Sequence, residues 1–451
     1  MEDLVSLCKR RGFIYPGSSI YGGLSNTWDY GPYGSQLKKN ILDFWWKTFV
    51  EQRDDILGMD AAILMNPRVW EASGHVSNFS DPLMDCRKCK ERVRGDKLLE
   101  DNLDTVITGK SNEEIMAMVM ENKIKCPKCK SLDWTEPRAF NLMFKTYQGV
   151  LEETASQIYL RPETAQGIFV NFKNILDSTR VRLPFGVAQV GKAFRNEITP
   201  GNFVFRTREF EQMEIEFFIR PEDAKHWFDT WVEDSMKFFL SLGVNKEKMR
   251  IREHEKEELS HYSSMTADIE YEFPFGWGEL QGIAYRGNFD LEQHMKFSGE
   301  KLQYRDPVTN ELLIPHVIEP SWGLTRTLLT VLLDAYEEEK LEGDESRIVM
   351  HFDPKVAPVQ VAIFPLQKDL NDEAKALYQD LKPHFRAEYD DSGAIGKRYR
   401  RQDEIGTPFC VTFDFETKDD QKVTVRERDS MKQERVAIKE LKTYLFERLS
   451  A

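Results

Sequence analysis

VAQVGKAFRNEI (Val187–Ile198), TPGN (Thr199–Asn202) and FVFRTREFEQMEIEFF (Phe203–Phe218) form the stretch whose reading decides the fold. Both flanks alternate with the two-residue period of strands, and Pro200-Gly201-Asn202 is turn chemistry, so the stretch predicts an antiparallel hairpin. On the first strand Arg195 and Glu197 share a face; on the second, Arg208, Phe210, Gln212 and Glu214 do. Charge is segregated along it. Arg180 to Arg208 carries six cations (Arg180, Arg182, Lys192, Arg195, Arg206, Arg208) against one acid, Glu197, whereas Glu209 to Glu216 carries four acids and no cation. A surface running from arginine through an aromatic ring to glutamate suits a ligand with phosphates, a flat base and an ammonium. The alternative is a solvated cross-strand ladder, which needs no aromatic and mixes its signs.

Working outward, three apparent motifs dissolve. Gly186-x4-Gly191-Lys192 approaches a phosphate loop, but Ala193 replaces the magnesium-binding hydroxyl and a strand follows instead of a helix N-terminus. GWGELQG (Gly276–Gly282) misses the dinucleotide spacing. HEKEE (His254–Glu258) lacks metal spacing and reads as helix surface.

The six cysteines are more informative. Cys86-x2-Cys89 and Cys126-x2-Cys129 are matching knuckles, CRKCK and CPKCK, and two thiolate pairs make the tetrahedral S4 site of structural zinc, with neighbouring cations favouring deprotonation. Disulfides are disfavoured in a chain with no visible export signal. A helix-like stretch between the knuckles (Leu98–Asn122) makes this a zinc ribbon with an inserted arm. Cys8 and Cys410 read as core residues.

The chain has 451 residues, 62 Lys+Arg, 76 Asp+Glu and a net charge of −14. At about 150 residues per domain it calls for roughly three units. Hydrophobic content of 41% and charged content of 31% describe an ordinary globular protein. Its longest apolar runs, such as Val359–Leu366, fall far short of the ~18 residues of a membrane span, so a cytoplasmic location without a membrane is expected. The charge also argues against coating nucleic acid by bulk electrostatics. It is unevenly placed: Lys355 to Ala451 carries eighteen basic and eighteen acidic residues, so the excess lies before it.

Three domains are expected: a discontinuous body of residues 1–85 and 137–353, a zinc-binding insertion 86–136, and a C-terminal domain 354–451. Pro354 and Pro358 mark the last junction. Beyond it VQVAIFPL, AEYDD, FCVTFDF and KVTVRER read as strands, and NDEAKALYQDLKPHF, IGKRYRRQDEI and QERVAIKELKTYLFERL as helices. That alternation implies a small α/β sandwich with parallel pairings.

These residues carry a resemblance. Phe194-Arg195-x-Glu197, a loop and Arg208–Gln212 resemble motif 2 of the class II aminoacyl-tRNA synthetases. EPSWGLTRTLL (Glu319–Leu329) resembles motif 3, and the segment from Gly34 through ILDFWWKTFV to Pro67 resembles motif 1, a long helix leading to a strand that carries a proline. WDYGPYG (Trp28–Gly34), RPETAQGIF (Arg161–Phe169), FEQMEIEFF (Phe210–Phe218) and DEIGTPFCVTFD (Asp403–Asp414) are similar to the homodimeric glycyl-tRNA synthetases, over essentially the whole chain. The resemblance implies an α+β fold with a six- or seven-stranded antiparallel sheet flanked by helices, a dimer through motif 1, and an anticodon-binding C-terminal domain. It implies glycine activation by ATP and transfer to tRNA.

It also implies roles. Arg195 grips the α-phosphate and the glycine carboxylate, a bidentate task suited to Arg; Glu197 holds the adenine amino edge, and Phe210 and Arg326 sandwich the base. These sit in an ATP set of Arg195, Asn196, Glu197, Phe205, Arg206, Thr207, Arg208, Glu209, Phe210, Glu279, Leu280, Gly323, Leu324, Thr325 and Arg326, with Arg195, Glu197 and Arg326 catalytic and Glu279 on magnesium. The glycine set is Arg94, Glu163, Phe210, Glu211, Gln212, Met213, Glu214, Arg286, Glu319, Pro320, Ser321, Trp322 and Gly323, with Glu163, Glu214 and Glu319 around the ammonium. Lys397, Arg398, Arg400 and Arg401 face tRNA, against the alternative of a surface helix balanced by Asp403 and Glu404. The other readings are a relative specific for proline, threonine or histidine, and a non-catalytic accessory protein on the same scaffold.

Overall fold

The computed structural model describes residues 1–103, 107, 110–150, 156–255, 263–341 and 345–449. These residues fall into two compact units, one of residues 49–236 with 249–325 and one of residues 1–48, 237–248 and 326–451.

The first unit is built on a seven-stranded sheet: β1 (Ile56–Met59), β2 (Phe185–Phe194), β3 (Glu209–Ile219), β4 (Met249–Glu253), β5 (Met265–Phe273), β6 (Gly276–Gly287) and β7 (His316–Gly323). The spatial order is β4-β5-β6-β7-β3-β2-β1, antiparallel except at the edge, where β1 runs parallel to β2. Helix Ala165–Ser178 places Ile168, Phe169 and Phe172 on one face by its 3.6-residue period. That face packs on Phe185, Val187, Phe218 and Val317 of the sheet. Each such side chain removed from water contributes ~1.5–3 kcal/mol.

The expected hairpin forms, with a longer loop than expected. Glu209 pairs with Phe194 and Phe218 with Phe185, so FVFRTR is not strand and residues 195–208 form the connection. Asn202 and Phe203 take left-handed backbone, which no ladder tolerates. Arg195, Glu197 and Arg208 therefore lie in the loop, not on strand faces; the Arg195 N–H donating to the Arg208 carbonyl (2.9 Å) closes its base. Pro67 is also displaced from its expected strand. It precedes a short helix, Arg68–Ala72, while β1 contains no proline. Of HEKEE, His254 and Glu255 are not helical: β4 ends at Glu253 and His254 pairs with Asp268 at 2.7 Å, while Lys256–Glu258 lie outside the described residues.

The stretch from Leu98 to Asn122 is two helices, Gly95–Leu103 and Asn112–Glu121, the second opened by a Ser111–Glu114 capping box. Residues 104–106 and 108–109 of it lie outside the described residues. Leu99, Ile115, Val119 and Trp134 form the core beneath them.

In the second unit a five-stranded sheet comprises β8 (Val361–Pro365), β9 (Ala387–Tyr389), β10 (Phe409–Phe413), β11 (Lys422–Glu427) and β12 (Gln433–Ala437), in the order β9-β8-β10-β11-β12. β8 is parallel to both neighbours; the remaining pairs are antiparallel. The final helix begins at Ile438, not Gln433. QERVA is instead an edge strand, held there because Arg435 reaches back to Asp420 (2.8 Å) and Asp414. Cys8 and Cys410 are buried, as expected of core cysteines.

Candidate functional site

β3 carries the site. Phe210, Gln212, Glu214 and Glu216 project from one face by strand alternation, and burial deepens along them: Phe210 is half-buried, Gln212, Glu214 and Glu216 buried. At the shallow end is Arg195. Its Nε donates to the Pro162 carbonyl (3.0 Å), and its guanidinium lies 5.3 Å from the ring centres of both Phe79 and Phe210. Two aromatic faces fix its plane. Among the described residues no hydrogen bond engages Nη1 or Nη2, which leaves the two-pronged end for a ligand. Phe205 anchors the loop by edge contacts with Phe273 and Phe275, and buried Thr207 donates to the Glu209 carbonyl at 2.7 Å.

Arg94 ion-pairs with Asp81 (3.1 Å) and Asp96 (2.6 Å). Burial pushes the Asp81 carboxyl up to about 6 despite Arg94, with Glu197 adding and Arg206 opposing, so Arg94, Glu197 and Arg206 share one electrostatic neighbourhood.

At the deep end the carboxylates gather. Ser321 donates to Glu214 (2.8 Å), as does Thr164 on its other oxygen. Arg286 donates to Glu319 (2.8 Å) and forks onto Asp290 (2.7 and 2.8 Å). Glu163 receives the Gln166 amide (2.9 Å) and faces His75 at 3.2 Å. Burial works to raise the Glu163 carboxyl, but His75, Arg286 and Gln166 outweigh it and hold it well below the usual range. Glu319 goes the other way, up to about 8, first from burial, with Glu214 and Glu163 adding to it. Acids gathered in this way around one arginine suit an ammonium.

Sequence reasoning missed Glu216, Asp290, Thr164, His75 and Phe79. Glu216 continues the alternation of Phe210-Gln212-Glu214 and was legible from it; Asp290 lies four residues after Arg286. His75 and Phe79 had no local signal. They arrive from the segment before the cysteine insertion.

Of the remaining positions, Gln212 is paired with Gly323, Met213 with Trp322 and Glu214 with Ser321 across β3 and β7, and Pro320 lies in β7 beside Glu319. Met213 and Trp322 point into the core, so they shape the pocket through packing. Lys192 pairs with Glu209 at the surface, and Glu211 extends from the same strand end. Leu324, Thr325 and Arg326 open helix Leu324–Ala335. Glu279 is exposed on β6, opposite Glu270, and Leu280 behind it is buried. The Asp268 Oδ1 and Glu279 Oε1 atoms both approach Gly282, 3.6 and 3.8 Å from where a Cβ would stand. Carboxylate oxygens are the donors a hard cation such as magnesium takes.

The four knuckle cysteines converge, one sulfur from each lying within 4.8 Å of the others. Cys86 and Cys129 sulfurs are 3.5 Å apart, Cys89 and Cys126 3.6 Å. Bonds of ~2.3 Å from zinc to each sulfur would set tetrahedral edges of ~3.8 Å, so the set fits zinc. The knuckles are built alike: Lys90 and Lys130 N–H donate to Cys86 and Cys126 carbonyls, each at 2.9 Å, on left-handed backbone. The Cys86 thiol is lowered to about 7, first by the Cys89 backbone N–H. Replacing Cys126 by Ser is expected to abolish stoichiometric zinc in metal analysis of the purified chain.

The four basic residues of helix Ile395–Ile405 do not form one basic face. Arg398 is buried, its guanidinium on the carbonyls of Pro365, Asp391 (3.1 Å) and Gly393 (2.8 Å). Arg401 is paired with Asp390 at 2.6 Å. Lys397 is exposed and Arg400 half-buried. Of the two acids expected to balance the helix, Asp403 is buried against Arg347 and Arg426 (3.2 and 2.8 Å) with Arg400 of its own helix at 3.9 Å, and Glu404 pairs with Arg10 (3.3 Å).

Comparison with known proteins fits this geometry. A family model described as the tRNA synthetase class II core domain (G, H, P, S and T) matches residues 144–336, and one described as an anticodon binding domain matches residues 360–448. The chain is 57% identical to a glycine–tRNA ligase of Caldanaerobacter subterraneus subsp. tengcongensis, over 100% of this chain and 98% of the relative. With the same coverage it is 57% identical to the glycine–tRNA ligase of Geobacillus thermodenitrificans and 56% to that of Clostridium acetobutylicum. With the antiparallel sheet, the clamped arginine and the acid pocket in place, a likeness of this extent has one meaning: the chain belongs to the glycine–tRNA ligase family of class II aminoacyl-tRNA synthetases.

Proposed function

We propose that this chain joins glycine to its tRNA in two steps, forming glycyl-adenylate from glycine and ATP with release of pyrophosphate, then passing the glycyl group to the tRNA 3′ end. The observation that carries the reading is the full-length likeness to glycine–tRNA ligases, together with an open arginine fork at the mouth of a buried acid pocket.

The protein's task in the first step is positioning and charge stabilisation. Arg195, held flat by Phe79 and Phe210, presents two parallel N–H donors to the α-phosphate and the attacking carboxylate, drawing the reacting oxygen and phosphorus together. Phe210 offers its remaining face to adenine, and Glu197 accepts from the adenine amino group. Arg206 and Arg208 meet the outer phosphates, and the resemblance adds Arg326 to this set. Glu279 with Asp268 would hold magnesium, which supplies charge neutralisation on the phosphates. The glycine ammonium lies among Glu163, Glu214 and Glu319 with Ser321, and Arg286 keeps Glu319 in place. Rejection of larger amino acids falls to steric exclusion, since attraction alone discriminates a methyl by only ~1–3 kcal/mol.

The domain division follows the same reading: a catalytic body of residues 1–85 and 137–353, a zinc-bearing insertion 86–136 and an anticodon-binding domain 354–451, whose exposed Lys397 would meet tRNA phosphates. The working form is a cytoplasmic homodimer. Among the described residues no helix is long and apolar enough to cross a membrane. The test is amino-acid-dependent ATP–pyrophosphate exchange with a panel that includes glycine, alanine, serine, proline, threonine and histidine. Exchange with glycine alone is expected; exchange driven by another amino acid and not by glycine would refute the assignment.

A further inference from the structure

Glu216 is completely buried in the centre of the sheet, and among the described residues neither of its carboxylate oxygens has a hydrogen-bond partner. Its neighbours are all provided for. Glu214 has two hydroxyls, Glu319 and Asp290 have Arg286, and Glu163 has Gln166 and His75. An isolated carboxylate in such a place is too costly to keep charged. Glu216 is therefore neutral unless a cation comes to it, and the acids around it form a group that can receive one. One oxygen from each of Glu214, Glu216 and Glu319 lies within 4.8 Å of the other two. At that upper limit the centre of such a triangle is no more than ~2.8 Å from each corner, within reach of N⁺–H···O⁻ bonds. An ammonium has three N–H donors to offer such a group of acids.

We propose that Glu216 is a further glycine-binding residue, whose carboxyl gives up a proton to solvent when the substrate ammonium arrives and then accepts one of its N–H groups beside Glu214 and Glu319. The inference rests on the functional reading above and adds a fourth acid to Glu163, Glu214 and Glu319. The charged groups around Glu216 support it: Glu214 on its own strand, Glu319 on β7, Arg286 on β6, Asp290 on the helix that follows, and Glu163 ahead of helix Ala165–Ser178. Burial first, then Glu319, pushes the Glu216 carboxyl well above the usual range, so the empty pocket holds it neutral. Protons held in the free pocket and lost on binding make glycine bind more tightly as pH rises, up to the range where glycine loses its own ammonium.

Glu216→Gln decides the matter, because the amide copies the neutral acid in shape and charge. If Glu216 only fills space, the variant behaves as the wild type. As an ammonium acceptor, its loss raises the glycine KM roughly ten- to a hundredfold in pyrophosphate exchange, with the ATP KM unmoved. An unchanged glycine KM in a folded Glu216→Gln chain overturns the proposal. Should that variant not fold, calorimetry of glycine binding to the wild-type chain in buffers of different ionisation enthalpy serves instead. Proton release is expected, and buffer-independent heats would overturn it. Absence of glycine-dependent exchange in the wild type would be a different failure, that of the functional reading itself.

Discussion

Replacing Arg195 by Ala is expected to lower glycine-dependent pyrophosphate exchange roughly 10³-fold or more while the chain stays folded. The magnitude follows from what the side chain does. Charge develops on the α-phosphate as pyrophosphate departs, and a preoriented donor aimed at it supplies roughly 10²–10³ in rate, more when one cation serves both reactants. Arg195 is preoriented by Phe79, Phe210 and the Pro162 carbonyl, so its fork needs no reorganisation during the reaction. Arg195→Lys should recover little, since a point charge cannot make two parallel bonds or lie between two rings. The measurement is exchange at saturating glycine and ATP, with circular dichroism to establish folding. Exchange within tenfold of wild type in the alanine variant would remove Arg195 from the centre of the chemistry.

Asp403→Ala should destabilise the C-terminal sheet region by ~3–5 kcal/mol, the cost of leaving buried cations without their counter-charge. Asp403 is 1% exposed in its side chain and lies between Arg347 (0%) and Arg426 (7%), which donate to it at 3.2 Å and at 2.8 and 3.1 Å. Arg347 also pairs with Glu339 at 2.5 Å and donates to the Arg428 carbonyl, so the whole group loosens together. Lys397→Ala, on the same helix but exposed, is the control and should stay within about 0.5 kcal/mol. Hydrogen exchange of helix Ile395–Ile405 and β11 reads the difference directly. Equal protection in the two variants would show that the network contributes nothing net.

The two residues also divide what could be read in advance. Arg195 was legible because its neighbours in sequence, Phe194 and Glu197 with Arg208–Gln212 beyond the turn, form a recognisable word. Asp403 was read as surface charge beside Glu404, because a helix seen in isolation does not reveal that Arg347 and Arg426 converge on it from separate strands. Arg398 illustrates the same limit: four cations in five residues look like one basic face, yet helical geometry turns Arg398 inward onto carbonyl oxygens.

The sequence alone determined the elements whose signals are local. Alternation announced β2 and β3, paired CxxC knuckles announced the sulfur cluster, and the α/β rhythm announced the last domain. These depend on neighbours within a few residues, where periodicity and turn chemistry act. Tertiary structure decided the rest. It lengthened the loop after Phe194 because Asn202 and Phe203 adopt backbone that leaves the ladder. It made QERVA a strand because Arg435 finds acids across the sheet, and it brought Phe79 and His75 to residues more than eighty positions away. It also left Glu216 buried without a partner among the described residues. Charge and alternation are written in the chain, but solvent exclusion and hydrogen-bond pairing arise only when distant segments meet, and those two quantities set what each acid and arginine can do.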